Sequence, residues 1–248
     1  MSYQDVIQQA KHKTEPLKSN RFVKISQRED RCDLPLSAWS PLLENAFLQT
    51  WKGIVLNKGI TEIALYPMLI HELQPQTIIE IGALNGGSAI WLADHLELFG
   101  IAGKVYSMDI DLSLLDENAK SDGRVKFFQG DSNKIAATFT PQMLAQLPHP
   151  WLVIEDAHVN LVGVLEYFHH NGLMSGDYLI VEDTNPLMWK YWQDNWDDPD
   201  NIEEGARKLE DLKGWLKSHK EEYLVDTYYH DIYGYNGSKN WNSILKKV

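Results

Sequence analysis

Thr77-Ile78-Ile79-Glu80-Ile81-Gly82-Ala83-Leu84-Asn85-Gly86-Gly87-Ser88-Ala89-Ile90-Trp91-Leu92-Ala93 is the stretch that decides the fold. Its first five residues form a short, nearly continuous apolar run, the pattern of a strand buried on both faces. Glycines interrupt it, and apolar residues resume at helical spacing after Ser88. Strand, glycine turn and helix in that order open a βαβ unit, whose first turn borders the ligand crevice of an open α/β sheet. Glycine lets the backbone bend sharply there, and Ser88 is placed to cap the helix.

Outward from this unit the alternation continues. Further strands are expected over 104–109, 125–129, 151–155, 177–182, 223–229 and 241–246, and helices over 88–99, 141–146, 159–169 and 202–217. The expected fold is α/β, a Rossmann-like doubly wound sheet of seven strands, mostly parallel with a C-terminal antiparallel hairpin. Two helices are expected between Ser37 and Glu72, after a polar arm carrying Arg21, Arg28 and Arg31. This divides the chain into N-terminal arm and helices (1–72) and a catalytic domain (73–248). Trp189, Tyr191, Trp192 and Trp196 fall in a segment without steady period, which reads as a lid or as packing on the sheet edge.

Composition narrows the function. The formal charge of −12, without a basic patch, would repel a phosphate backbone and argues against nucleic acid. No apolar stretch is long enough to span a bilayer, the N-terminus lacks a secretory pattern, and a single cysteine, Cys32, permits no internal disulfide. A cytoplasmic protein is expected.

The crevice residues point to one cofactor. The glycine spacing G-x-x-x-G-G departs from the dinucleotide fingerprint, and the preceding Glu80 would repel a pyrophosphate but attract a methionine ammonium group. S-adenosylmethionine therefore fits Glu80, Gly82, Ala83, Gly86 and Ser88 better than NAD. Asp109, 22 residues after Gly87, closes the second strand with Ile110 and is placed to grip ribose hydroxyls. Asp131 and Ser132, after the third strand, fall where an adenine edge would lie.

The next two strands end in Glu155-Asp156-Ala157-His158 and Glu182-Asp183-Thr184. Four carboxylates at neighbouring strand ends suit a hard divalent cation, with Mg2+ the first expectation. Such a cation makes an acceptor hydroxyl easier to ionise, and His158 is the expected proton acceptor. Strand-end acids also serve as caps, and a lone histidine is more often structural.

These motifs resemble the bacterial methyltransferases that carry the label cephalosporin hydroxylase, a group that includes the enzyme of cephamycin methoxylation and relatives of rhamnosyl O-methyltransferases. The resemblance runs from Trp51-Lys52-Gly53 and Ala64-Leu65-Tyr66-Pro67-Met68-Leu69 through the glycine turn to Gly176-Asp177-Tyr178 and Glu182-Asp183. It implies a class I fold, S-adenosylmethionine as donor, and a magnesium site built from an acid after the fourth strand and the pair Glu182 and Asp183. Either Glu155 or Asp156 fills the first of these positions. Hydroxylation itself would need an iron or flavin oxidant, for which the chain offers no motif.

The expected activity is thus O-methylation of a small hydroxylated molecule, a sugar or secondary metabolite. The rivals are a non-catalytic S-adenosylmethionine-binding partner of a biosynthetic enzyme and an NAD-dependent oxidoreductase. A homo-oligomer is also expected, because helices before Thr77 carry apolar residues such as Trp51 and Tyr66 that one sheet face does not obviously cover.

Overall fold

A computed structural model describes all residues, Met1–Val248. The chain begins with helix α1 (Tyr3–Ser19), strand β1 (Phe22–Val23), helix α2 (Leu36–Glu44), a small hairpin of β2 (Thr50–Trp51) and β3 (Ile54–Val55), and helix α3 (Ile60–Leu73). The alternating body follows as β4 (Thr77–Ile81), α4 (Gly87–Leu98), β5 (Lys104–Asp109), α5 (Glu117–Lys120), β6 (Val125–Gln129), α6 (Ile135–Thr138), α7 (Pro141–Leu144), β7 (Trp151–Glu155), α8 (Leu161–Asn171) and β8 (Tyr178–Val181). It closes with α9 (Pro186–Asn195), α10 (Pro199–Ser218), β9 (Tyr223–Asp226), α11 (Thr227–Asp231) and β10 (Ile244–Lys247).

The main sheet runs β1-β9-β10-β8-β7-β4-β5-β6. Strands β4 to β8 pair in parallel, whereas β10 runs antiparallel to both β8 and β9. This is the doubly wound sheet with its antiparallel end. The chain order reverses beside β4, where Ile81 lies level with Met108 of β5 and Glu155 of β7. A doubly wound sheet binds its ligand at such a switch point.

Strand pleating sends Ile78 and Ile79 to opposite faces, so each face has its own core. Ile78 packs among Leu65, Tyr66 and Leu69 of α3 and Trp91 of α4. Ile79 packs among Leu165 and Phe168 of α8 and Leu212 and Trp215 of α10. Both faces are buried, which explains the unbroken apolar runs of β4 and β7.

Several elements depart from the sequence reading. The arm supplies an eighth strand, for β1 pairs antiparallel with β9, pinned by Arg21 between Glu72 and Asp226. The strand expected over 223–229 stops at Asp226, whose side chain accepts from Tyr228 N–H and starts α11. The aperiodic tryptophan segment is largely the helix α9. Tyr66, one basis for expecting assembly, is fully buried, and Trp51 is half-buried with its indole donating to Asp94 at 2.6 Å. No helix is long and apolar enough to cross a membrane.

Candidate active site

The turn after β4 forms one wall of a cavity of about 370 Å3 at the C-terminal strand ends. Gly82 has φ +108°, and a Cβ there would lie 2.5 Å from the Asp156 carbonyl oxygen, so only glycine lets the two strand ends meet. Gly82 N–H and Ala83 N–H both donate to Met108 O, at 2.8 and 3.1 Å, fixing the turn to β5. Leu84 then adopts φ +46° and donates its N–H to Asp109 Oδ2 at 2.7 Å. Asp131 caps the turn after β6 by accepting from Asn133 N–H at 2.9 Å.

Of the residues expected to hold the donor, Gly82, Ala83, Ser88, Asp109, Ile110, Asp131 and Ser132 line this cavity. Two do not. Gly86 shapes the turn from below, at φ +83° with Ala119 beneath it. Glu80 is fully buried and accepts from Ser107 at 2.6 Å, while its Oε1 has no partner. Burial raises its pKa, against the opposing charge of Lys58.

The four strand-end carboxylates divide into two pairs. Asp156 and Asp183 line the cavity; Glu155 and Glu182 are wholly buried and face lysines. Lys58 Nζ lies 2.7 Å from Asp156 Oδ2 and 2.5 Å from Glu182 Oε1, which also accepts from Tyr66 at 3.0 Å. Lys208 Nζ lies 2.9 Å from Glu155 Oε2, and Lys239 Nζ lies 2.7 Å from Asp183 Oδ1. Of the four carboxylates expected to face a cation, Asp156 and Asp183 thus border the cavity, and Glu155 and Glu182 are buried against lysines. Three ammonium groups also offset most of the charge that the sequence left uncompensated.

Electrostatics follow this arrangement. Burial and then the charge of Asp156 push the Glu182 carboxyl up to about 8. Burial would raise Asp183 too, but the charge and hydrogen bond of Lys239 outweigh it and hold that carboxyl below the usual range. Lys58, although desolvated, is held well above its usual range by Asp156 and Glu182. Lys58 and Asp183 are thus held charged by opposite charges, whereas burial favours the neutral form of Glu182, because a buried charge without sufficient compensation is costly.

His158 occupies the centre, at φ +60°, and Asp183 stands at φ +62°. Left-handed backbone at non-glycine residues costs on the order of 1–3 kcal/mol and is concentrated at functional sites. The imidazole Nε2 lies 3.6 Å from Asp183 Oδ2 and 4.0 Å from Asp156 Oδ1. Its Nδ1 lies 3.3 Å from Lys208 Nζ. An ammonium only donates, so Nδ1 is the acceptor and the ring hydrogen belongs on Nε2, facing the carboxylates. Burial and then Lys208 lower the histidine pKa, so the ring is neutral. In this state its N–H points toward the acids from beyond hydrogen-bond distance, and the proton-accepting role read from the sequence would need the other tautomer.

A second cavity, of about 490 Å3, adjoins the first and shares His158, Asp183, Lys58 and Trp196 with it. Trp189 and Trp192 of α9 and Trp39 and Leu43 of α2 form its apolar wall. Trp189 is buried, meets the His158 ring edge-on at 5.3 Å and donates its indole N–H to the Asp183 carbonyl at 2.5 Å. The tryptophans thus pack on α2 and also face the space beside the acids.

The sequence reading missed Lys58, Lys208 and Lys239. A signal existed for one of them: Lys208 interrupts the apolar stripe of α10 between Gly205 and Leu212, and a charge on a buried face requires a partner.

Residues 45–243 match the family described as rhamnosyl O-methyltransferase/CmcI. Rhamnosyl O-methyltransferases of Mycobacterium tuberculosis and Mycobacterium leprae are 32% identical to this chain over 139 residues, 55% of its length. The match spans 57% and 60% of the lengths of these two relatives. Among solved structures, CmcI with Mg and SAM superposes with a TM-score of 0.63 at 26% identity, covering 93% of this chain and 92% of that one. CmcI in its apo form gives a TM-score of 0.64 at 27% identity, covering 89% and 88%.

Proposed function

This chain belongs to the rhamnosyl O-methyltransferase/CmcI family, and from that premise we propose that it transfers the methyl group of S-adenosylmethionine to a hydroxyl of a small molecule, assisted by Mg2+ or another divalent cation. The observation that carries this reading is the meeting of two cavities at His158 and Asp183, with Asp156 beside them in the first. One offers the glycine turn, Asp109 and Asp131 to a nucleoside; the other offers tryptophan faces to an acceptor ring or sugar. The methyl group would cross at the junction.

Within this reading Asp109 binds the ribose and Asp131 with Ser132 borders the adenine. Glu80 lies too deep for contact and acts on the donor ammonium through its field alone. The residues fit a cation on a direct test: ligand atoms of Asp156 and Asp183 gather within 4.8 Å of one another beside His158, whose hydrogen on Nε2 leaves the two carboxylates as the ligands. Lys58 and Lys239 hold the far oxygens of the two carboxylates, leaving Asp156 Oδ1 and Asp183 Oδ2 without a hydrogen-bond donor. Hard carboxylate oxygens suit Mg2+.

When bound, the cation supplies Lewis acidity that lowers the pKa of an acceptor hydroxyl. Asp156 and Asp183 would hold it, and Glu155 and Glu182 would set the lysines behind them. His158 keeps its hydrogen on Nε2 and packs beside the carboxylates, limiting their movement, while the tryptophans exclude water and align the acceptor.

A methyl-transfer assay with labelled donor and a panel of hydroxylated acceptors tests the proposal. Activity is expected to vanish with a chelator and return with Mg2+. Asp156→Asn and Asp183→Asn should each lower kcat at least about 100-fold, roughly 3 kcal/mol of barrier, with donor affinity unchanged. Full turnover under chelation would remove the cation from the mechanism. Tight donor binding with no transfer to any acceptor would favour the non-catalytic partner, and binding of NAD in place of the donor would favour the oxidoreductase.

A further inference from the structure

Far from the crevice, where α8 and α10 end beside β9, we propose a second metal site, formed by His169, His219 and Glu222 and suited to a borderline cation such as Zn2+. His169 is in the last turn of α8, His219 caps the C-terminus of α10, and Glu222 precedes β9. Helix α10 separates this site from Lys208 by eleven residues, about 16 Å at 1.5 Å per residue.

The geometry is that of three donors around one point. His219 Nδ1 lies 3.2 Å from Glu222 Oε1, and His169 Nε2 lies 3.6 Å from Glu222 Oε2. The two imidazole centroids are 4.3 Å apart, and one ligand atom from each residue falls within 4.8 Å of the others. Donors bound tetrahedrally at 2.0–2.1 Å sit about 3.3 Å from one another, so small side-chain rotations complete the triad. Two histidines and one carboxylate with an open fourth position form a known type of zinc site.

The surroundings supply what such ligands need. A metal-binding histidine is held by a partner on its other ring nitrogen. His219 Nε2 lies 3.1 Å from Glu166 Oε1, and His169 Nδ1 lies 3.1 Å from the Tyr223 hydroxyl. One contact opposes occupation: Lys247 Nζ lies 3.2 Å from His169 Nδ1, which must carry a hydrogen when Nε2 binds a metal. Lys247 also reaches the His169 carbonyl oxygen at 3.4 Å, and it turns to that acceptor on binding. Glu222, about half exposed at its side chain, leaves a route from solvent. A cation here would tie the end of α8 to the turn between α10 and β9, joining the helix that follows His158 to the helix whose middle carries Lys208.

The test is zinc binding to the full chain, stripped by chelation and kept in excess Mg2+, read by competition with a chromophoric chelator. Wild type and Asp183→Asn should bind one zinc equivalent with micromolar or tighter affinity. His219→Gln should bind at least about 100-fold more weakly, and Glu166→Gln, which removes only the orienting charge, about 10- to 100-fold more weakly. Cobalt(II) should give the visible bands of a four-coordinate ion in wild type and Asp183→Asn, and lose them in His219→Gln. Circular dichroism checks folding, and Glu166→Gln carries the test if His219→Gln unfolds. Weaker than 100 µM binding by wild type, unchanged affinity in the folded variants, or loss of zinc in Asp183→Asn would each overturn the proposal; the last would place the zinc in the crevice. The methyl-transfer reading stands or falls separately, since His169, His219, Glu222 and Glu166 line neither cavity.

Discussion

Asp156 faces the crevice while its neighbour Glu155 does not, and the reason is the strand pleat, which sends successive side chains to opposite sides. The sequence shows acidic pairs after β7 and β8 but leaves unsaid which member of each pair turns outward. Nor does it reveal the lysines, because residues 58, 208 and 239 come from three unrelated parts of the chain. The same long-range contact changes the reading of His158, whose Nδ1 is occupied by Lys208. A positioning role for this ring predicts that His158→Gln, which keeps an N–H toward Asp183, retains a measurable fraction of kcat, about a tenth, with an unchanged pH–rate profile. His158→Ala should lose about 100-fold, a further tenfold corresponding to about 1.4 kcal/mol. Equal loss in both variants, together with disappearance of the acid limb of the profile, would show that His158 is the base after all.

At the level of elements, strands β4 to β7 were legible to the residue because their apolar runs end sharply, with β4 and β7 buried on both faces. The C-terminal elements were less so. Tyr223 to Tyr229 reads as one strand from its aromatic and β-branched residues, yet Asp226 caps a helix within it, a side-chain bond that no periodicity records. That helix, α11, carries His230, buried, with its Nε2 accepting from Ile244 N–H of β10 at 2.9 Å. Burial and then Arg28 push this imidazole down to about 3, so it is neutral in the folded chain. The unfolded chain takes up a proton near pH 6.5 and the folded one does not, so the unfolded state binds more protons between these values. Stability should be fully present above pH 6.5 and fall on acidification toward pH 3, by at most about 1.4 kcal/mol per pH unit from this residue. Denaturant melts of wild type and His230→Gln across that window measure the slope. A wild-type slope no steeper than that of the variant would show that His230 does not couple β10 to pH.

Across the whole molecule, the order of the strands makes the site. The reversal beside β4 opens the sheet at its C-terminal edge, and the donor turn, the second-strand acid and the acidic pairs all gather there because each ends a parallel strand. That much follows from the alternation of strand and helix along the sequence. The covering of the N-terminal helices does not. Tyr66, which suggested assembly, is buried inside the chain and Trp51 is half-buried against Asp94, but α1 supplies a different reason to expect it. This helix of 17 residues buries none of them, and Tyr3, Ile7, Ala10, Thr14 and Leu17 recur at alternating spacings of four and three along one side. Such spacing is the seam of a two-helix coil, and an isolated helix of this length is marginal in water. Phe47, Leu48 and Ile60, each more than half exposed, add apolar surface elsewhere on the N-terminal part. The expected outcome is a homo-oligomer in which α1 pairs with a second copy. Sedimentation equilibrium at micromolar concentration should give a multiple of 28.5 kDa, and Ile7→Asp with Leu17→Asp should shift it toward the single chain without altering the near-ultraviolet spectrum of the buried tryptophans. A wild-type mass of one chain would remove the assembly, and an oligomer unaffected by the double substitution would move its interface away from α1.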